Sequence, residues 1–210
     1  MMKRSILLVT VGWELVFFGM FIYSLGQGDH YTYWTELISL MLLWIPPLCA
    51  HFKIMELPWP IVFAIGLSFF LNELGLVTLW YHTSFWWDKL THLVSGIAVA
   101  SLVATVIIIV LQNAARLRIP ARWVPFFILI AVMAMEAFWE IFEFTLDHTV
   151  GGNMQYPPPD TVNDIIYNFV SGIIAGLGAA YYISNASLGT FVANLKVDRS
   201  VARIRKFLYK

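Results

Sequence analysis

The 210-residue chain is too apolar for an ordinary soluble protein, because 60% of its residues are hydrophobic and only 12% are charged. An average soluble domain has about a quarter of its residues charged. The net charge of zero gives no indication of a nucleic-acid partner. The single cysteine, Cys49, has no partner within the chain, which excludes a disulfide framework.

Six apolar runs of about 20 residues follow one another along the chain, and each is long enough for a helix to cross ~30 Å of hydrocarbon. The sequence therefore predicts an all-α membrane protein, a bundle of about six transmembrane helices. The first run is too long for a signal peptide, so we interpret it as a retained span. The predicted spans are residues 6–26, 36–52, 59–81, 88–112, 121–147 and 161–184.

Basic residues are distributed unevenly among the predicted loops. If the N-terminus is cytoplasmic, Lys89 alone among the 13 Lys and Arg residues lies on the outer side. The positive-inside rule favours this orientation, which places both termini on the cytoplasmic side of the cell membrane. Trp34, Trp80, Trp86 and Trp87 then lie at the outer ends of spans, as in an aromatic belt.

The segment after the sixth span, residues 188–210, combines apolar and basic residues at helical spacing. Leu195 belongs to its apolar face, and Lys196 and Arg203 are interleaved with that face. This pattern predicts a basic amphipathic helix that lies on the inner leaflet, separate from a transmembrane domain of residues 1–187. A docking helix for a partner protein is the alternative.

Ionisable residues are costly inside membrane spans and normally face the interior of the bundle, so their positions are the strongest functional signal here. Three of the predicted spans carry such residues at spacings of three or four, which places them on one face of each helix. They are Asp88 and His92 in the fourth span, Glu136, Glu140 and Glu143 in the fifth, and Asp160, Asp164 and Asn168 in the sixth.

These three polar faces fall at a similar depth, in the outer half of the predicted bilayer. Several unpaired carboxylates cannot all stay ionised in a low-dielectric site, so such a cluster must hold protons or bind a cation. Carboxylates and imidazole without thiolates suit zinc, manganese, iron, magnesium or calcium. We therefore predict a divalent metal ion as cofactor, with Asp88, His92, Glu140 and Asp164 as its ligands.

Other polar residues have supporting roles in this hypothesis. A metal-bound water would be the nucleophile, and the neighbouring carboxylate of Glu143 would be the general base. Glu136, Asp160 and Asn168 would surround the ligands, and Glu73, deeper on the third span, would join them.

The same residues form motifs that resemble those of a known group of proteins. Trp86 to His92 contains D-x-x-x-H, Trp139 to Glu143 is W-E-x-x-E, and Asp160 to Asn168 is D-x-x-x-D-x-x-x-N. This order resembles that of the YjdF-like membrane proteins and is similar, more loosely, to VanZ-like proteins, some of which are associated with glycopeptide antibiotic tolerance. The VanZ-like pattern often has Gln where this chain has Glu143. The resemblance supports the site and implies no reaction.

The sequence is compatible with two main candidate functions. The first is a membrane-embedded, metal-dependent enzyme that acts on a lipid or lipid-linked substrate near the outer leaflet, with membrane lipids as its partners. The second is a non-catalytic accessory subunit of a larger membrane complex, in which the polar cluster only locks the helix packing. A proton or ion path is a third interpretation, although no inverted repeat indicates a transporter. Nucleic acid is not expected as a partner.

Overall fold

The computed structural model describes residues 4–113, 119–149, 160–198 and 200–202, apart from the side chain of Leu146. Throughout these ranges the regular secondary structure is helical, with no strand. The helices are α1 (Arg4–Gln27), α2 (His30–Leu43), α3 (Ile45–His51), α4 (Trp59–Val77), α5 (Trp80–Thr83), α6 (Trp87–Asn113), α7 (Val124–Thr149), α8 (Asp160–Asn185) and α9 (Leu188–Leu195).

Six helical segments are long and apolar enough to cross a membrane, which confirms the predicted helical membrane bundle. They are α1, α2 together with α3, α4, α6, α7 with the 3-10 turn before it, and α8. The end of the bundle that holds α5 and the starts of α6 and α8 is named here the α5 end. The opposite end, which holds α9, is the α9 end.

Two spans differ from the predicted bounds at the α5 end. The second begins at His30 instead of residue 36, because the Asp29 carboxylate caps α2 by accepting a hydrogen bond from the Thr32 backbone N–H at 3.1 Å. The third ends at Val77 instead of residue 81, because Leu79 has a φ of 57° that separates α4 from α5.

One half of the bundle is formed by α6, α7 and α8. Its core contains Ala100 of α6 and Val124, Ile128 and Val132 of α7, all at most 1% exposed. Apolar residues of α8 pack against this core. The three helices that carry the predicted polar faces are therefore direct neighbours.

The other half is formed by α1, α2 and α4. The Trp13 indole of α1 packs against α4 at Gly66, where a Cβ would come within 2.2 Å of the ring. Trp87 at the start of α6 joins the halves, since its indole Nε1 donates to the Leu71 carbonyl of α4 at 3.2 Å.

Helix α9 packs against the bundle at the α9 end. Its residues Val192 and Leu195 are buried against Ile108 of α6. Lys196 Nζ lies 2.7 Å from the carboxylate of Glu56, in the segment between α3 and α4. Residues 199 and 203–210 of the predicted tail helix lie outside the described residues, so the predicted division at residue 187 stays a prediction.

Candidate metal centre

The close approach of α6 and α8 creates the site. A Cβ at Gly96 of α6 would come within 2.0 Å of Ser171 Oγ and 2.6 Å of Asn168 Oδ1 of α8. Any larger residue at position 96 would have to displace the Ser171 and Asn168 side chains. Side chains one turn nearer the α5 end, His92 on α6 and Asp164 on α8, can therefore meet between the two helices.

Three buried side chains meet there, namely Asp88, His92 and Asp164, which we call the DHD cluster. Each offers one potential ligand atom, and these atoms all lie within 4.8 Å of one another. His92 Nε2 is 3.5 Å from Asp88 Oδ1 and 3.7 Å from Asp164 Oδ1. Ligand atoms around a tetrahedral ion with bonds of about 2.1 Å lie about 3.4 Å apart. Both distances from His92 Nε2 are close to this spacing.

The hydrogen bonding of the DHD cluster is incomplete. Asp88 is 8% exposed and Asp164 2%. Within the described ranges Asp88 Oδ2 and Asp164 Oδ1 have no hydrogen-bond donor, and the two carboxyl groups lie within hydrogen-bonding reach of each other. Buried polar atoms are nearly always paired, since an unpaired one costs about 1–3 kcal/mol, and more if charged. These carboxylate oxygens therefore require a positive ligand or a proton.

The second ring nitrogen of His92 is held by α7 and α8. His92 Nδ1 lies 2.9 Å from the Asn168 amide nitrogen and 3.5 Å from Glu136 Oε1. The same Asn168 amide donates to Glu136 Oε2 at 2.5 Å. A metal-binding histidine donates its other ring N–H to an acceptor. The Asn168 amide nitrogen is itself a donor, so the acceptor available to the Nδ1–H of His92 is Glu136 Oε1. Nε2 is thus directed at Asp88 and Asp164.

The remaining predicted residues of α7 and α8 lie around the DHD cluster. Glu140, a predicted ligand, is not one of the three residues whose ligand atoms lie within 4.8 Å. Its Oε2 instead accepts a hydrogen bond from Thr161 Oγ1 at 2.7 Å. Glu143 is buried one turn further along α7, and Asp160 is half-buried at the start of α8.

The structure places Glu73 apart from the DHD cluster. Its carboxyl group contacts Thr35 Oγ1 at 2.7 Å and Ser39 Oγ at 2.9 Å, both on α2. Sequence reasoning did not identify Glu36, which is fully buried beside these residues. The sequence does contain a signal for Glu36. Thr32, Glu36 and Ser39 are spaced four and three residues apart, which places them on one helix face, and they are buried on α2.

A polar pocket of about 370 Å³ opens next to the DHD cluster at the α5 end. Asp88 lies in its wall, so the pocket connects the cluster with the surface. The Lys89 ammonium in the same wall stacks on the Phe85 ring, 4.7 Å from its centre. The other lining residues are Tyr81, His82, Thr83, Ser84 and Asp160.

No curated protein and no solved structure matches the chain. A family model does match, over residues 8–185, and its description is "Predicted membrane protein (DUF2238)". The matched range includes the six spans almost completely and every residue of the DHD cluster. The chain therefore belongs to this family of multi-pass membrane proteins.

Proposed function

We propose that the protein binds a divalent metal ion through Asp88, His92 and Asp164 and uses it for hydrolysis of an anionic lipid or lipid-linked headgroup. The observation that carries this proposal is the arrangement of the three buried ligand groups. Their potential ligand atoms lie at nearly coordination spacing, and two carboxylate oxygens lack a hydrogen-bond partner among the described residues.

The charges of the cluster favour a divalent ion. Two carboxylates carry a formal charge of −2 and a neutral imidazole adds none, so an ion of charge +2 compensates them. Within the described ranges, the only ion-pair partner of Asp88 and Asp164 is His92 itself. The imidazole nitrogen favours zinc, manganese or iron over magnesium and calcium, which prefer oxygen ligands.

Three protein ligands support a catalytic role better than a purely structural one. Structural zinc sites usually have four protein ligands, whereas catalytic sites have three and keep a position for water, which the metal activates. The pocket beside Asp88 gives a headgroup access to that position. Glu143 serves as the general base for this water. If Glu140 rotates away from Thr161 and binds the ion as well, the water occupies a fifth position.

The pocket lining indicates the chemical class of the substrate. Lys89 supplies a positive charge, and the hydroxyl group of Ser84 supplies a hydrogen-bond donor. Asp88 and Asp160 also line the pocket, so an anionic group such as a phosphate would bind through the proposed metal ion together with Lys89 and Ser84. We place the pocket at the outer leaflet of the cytoplasmic membrane with both termini in the cytoplasm, because the distribution of Lys and Arg favours that orientation. Within the family we assign the chain to a YjdF-like type on its three motifs.

The second candidate function is that of a non-catalytic accessory subunit. The observation that favours it is the hydrogen bond from Asn168 to Glu136, which ties α8 to α7 beside the cluster. Under this proposal the polar residues only fix the helix packing, and the exposed aromatic side chains of the spans contact other membrane subunits.

Elemental analysis of the purified full chain tests the metal proposal. We expect about one zinc, manganese or iron per chain in the wild type after exposure to these ions, and a loss of that metal in His92→Ala. The control is His51→Ala, because His51 is exposed at the α9 end. A wild type that takes up no stoichiometric metal, or a His92→Ala protein that retains it, overturns the proposal.

Hydrolysis of lipid phosphate by the metal-loaded protein in vesicles separates the two functions. We expect turnover in the wild type, and Glu143→Gln should retain the metal and lose turnover. A protein that binds the metal without turnover and always purifies with other membrane proteins supports the accessory role instead.

A further inference from the structure

A second buried polar cluster lies between α1, α2 and α4, on the other half of the bundle. Glu36 of α2 and Glu73 of α4 are its two acids, 0% and 1% exposed. Ser24 of α1 and Thr35 and Ser39 of α2 add three hydroxyl groups. We call these five residues the EE cluster. All of its side-chain polar atoms are oxygens, whereas the DHD cluster contains an imidazole.

The hydroxyl of Thr35 indicates where one proton lies. Thr35 Oγ1 is 2.8 Å from the Thr32 carbonyl oxygen and 2.7 Å from Glu73 Oε2. A hydroxyl group has one proton and can donate it to only one of these oxygens. If it donates to the Thr32 carbonyl, Glu73 Oε2 must carry the proton that joins it to Thr35. Ser39 then donates to the other oxygen of Glu73, and every polar atom of this carboxyl group is satisfied.

Glu36 is not satisfied in the same way. Ser24 Oγ donates to Glu36 Oε1 at 3.0 Å, but Glu36 Oε2 has no hydrogen-bond partner in the described part of the chain. The ion pairs of the described residues involve His92 and Lys196, and neither contacts Glu36 or Glu73. If Glu73 holds this proton and Glu36 is ionised, the EE cluster carries one uncompensated negative charge, which is costly inside a membrane.

We propose that the EE cluster binds one sodium ion at Glu36 Oε2. A single remaining charge matches a monovalent cation, and a set of carboxyl and hydroxyl oxygens matches a hard one. Ser24 Oγ already contacts Glu36, and Thr35 and Ser39 lie one and three residues from Glu36 on α2. After rotation, these hydroxyl oxygens would complete the coordination. This site is independent of the metal ion proposed for the DHD cluster.

Thermal unfolding of the purified full chain tests this site. Sodium chloride is titrated against choline chloride at constant ionic strength, so that only the identity of the cation changes. A ligand present at about 100 times its dissociation constant raises the Tm of a chain of this size by about 5 °C or more. We expect this rise in the wild type and its loss in Glu36→Gln, which keeps the size of the side chain. Asp198→Asn, which removes an exposed carboxyl group at the α9 end, should keep it.

Three further outcomes decide the proposal. If Glu36→Gln does not fold, Ser24→Ala serves instead and should shift the response to higher sodium concentration. The His92→Ala protein should lose its bound divalent metal and still respond to sodium, which separates this proposal from the preceding one. A wild type without a sodium response, or an undiminished response in both Glu36→Gln and Ser24→Ala, overturns the sodium site.

Discussion

The DHD and EE clusters lie at the same end of the bundle, and both place two acids where almost no solvent reaches. Their neighbours differ. The DHD cluster contains an imidazole and lies beside a polar pocket, whereas the EE cluster surrounds its acids with hydroxyl groups. The comparison teaches that the number of buried acids does not define a site. The donors around each carboxyl group decide whether it is satisfied, protonated or available to a cation.

Helix packing distinguishes the two halves as well. Gly96 brings α6 and α8 so close that the DHD residues meet directly. In the other half the bulky Trp13 indole fills the space between α1 and α4. We therefore expect substitutions to affect the two clusters separately, and the following experiments test that expectation.

The largest effect should follow from Gly96→Val. Its β-carbon would lie 2.0 Å from Ser171 Oγ and 2.6 Å from Asn168 Oδ1, so the side chain of Asn168, which contacts His92, must shift or α8 must move away from α6. Overpacking alone typically costs about 1–3 kcal/mol, and the DHD cluster would be lost with the contact. We expect a strongly reduced Tm and no metal binding. The matched control is Gly178→Val on α8, where a Cβ meets nothing within 4 Å. Equal melting temperatures for the two variants would contradict the packing argument.

Asp164→Ala should have the next largest effect, and only on the divalent metal. Loss of a direct ligand should weaken binding by more than the 10- to 100-fold that is typical of residues supporting a ligand. Competition with a chelator of known affinity measures the change. The sodium-dependent rise in Tm should stay as in the wild type. A parallel loss of both responses would show that the clusters are not independent.

Asn168→Ala should have an intermediate effect. Asn168 fixes the orientation of His92 and the position of Glu136 without being a predicted ligand. We expect the metal affinity to fall by about 10- to 100-fold, measured by the same competition. Asn185→Ala is the control, because that amide only bonds to a backbone carbonyl on the exposed end of α8. An affinity loss as large as that of Asp164→Ala would make Asn168 a ligand itself.

The smallest effect should follow from Ser24→Ala. This change removes one hydrogen bond to Glu36, of the kind that contributes about 1 kcal/mol, or about fivefold in an equilibrium constant. The sodium concentration at half of the Tm rise should increase by about that factor. Ser184→Ala, on the exposed end of α8, should leave it unchanged.

The sequence was sufficient for the six spans, because length and hydropathy are local properties. It was less informative about the ends of the spans. Asp29 and Thr32 begin α2 with polar residues that a search for apolar runs leaves out, and the left-handed Leu79 ends a run that continues in hydropathy.

The candidate site was predictable only in part, because the sequence indicates the polar face of each helix but not which faces pack together. Spacings of four place Asp88 with His92 and Asp164 with Asn168, so each helical face could be derived from the sequence. Which faces meet depends on contacts between helices, and the sequence does not reveal that Glu73 of α4 packs on α2 rather than on α6. The role of Glu140 as a ligand stays a prediction.

Tyr81 connects the two halves of the bundle between the EE cluster and the DHD cluster. Its hydroxyl group donates to Asn72 Oδ1 on α4 at 3.0 Å and lies 3.5 Å from Thr91 Oγ1 on α6, while its side chain lines the pocket. Asn72 directly precedes Glu73 of the EE cluster, and Thr91 directly precedes His92 of the DHD cluster. A headgroup that displaced the Tyr81 side chain would break these contacts between α4 and α6. Binding in the pocket would therefore weaken the packing of the two halves of the bundle against each other.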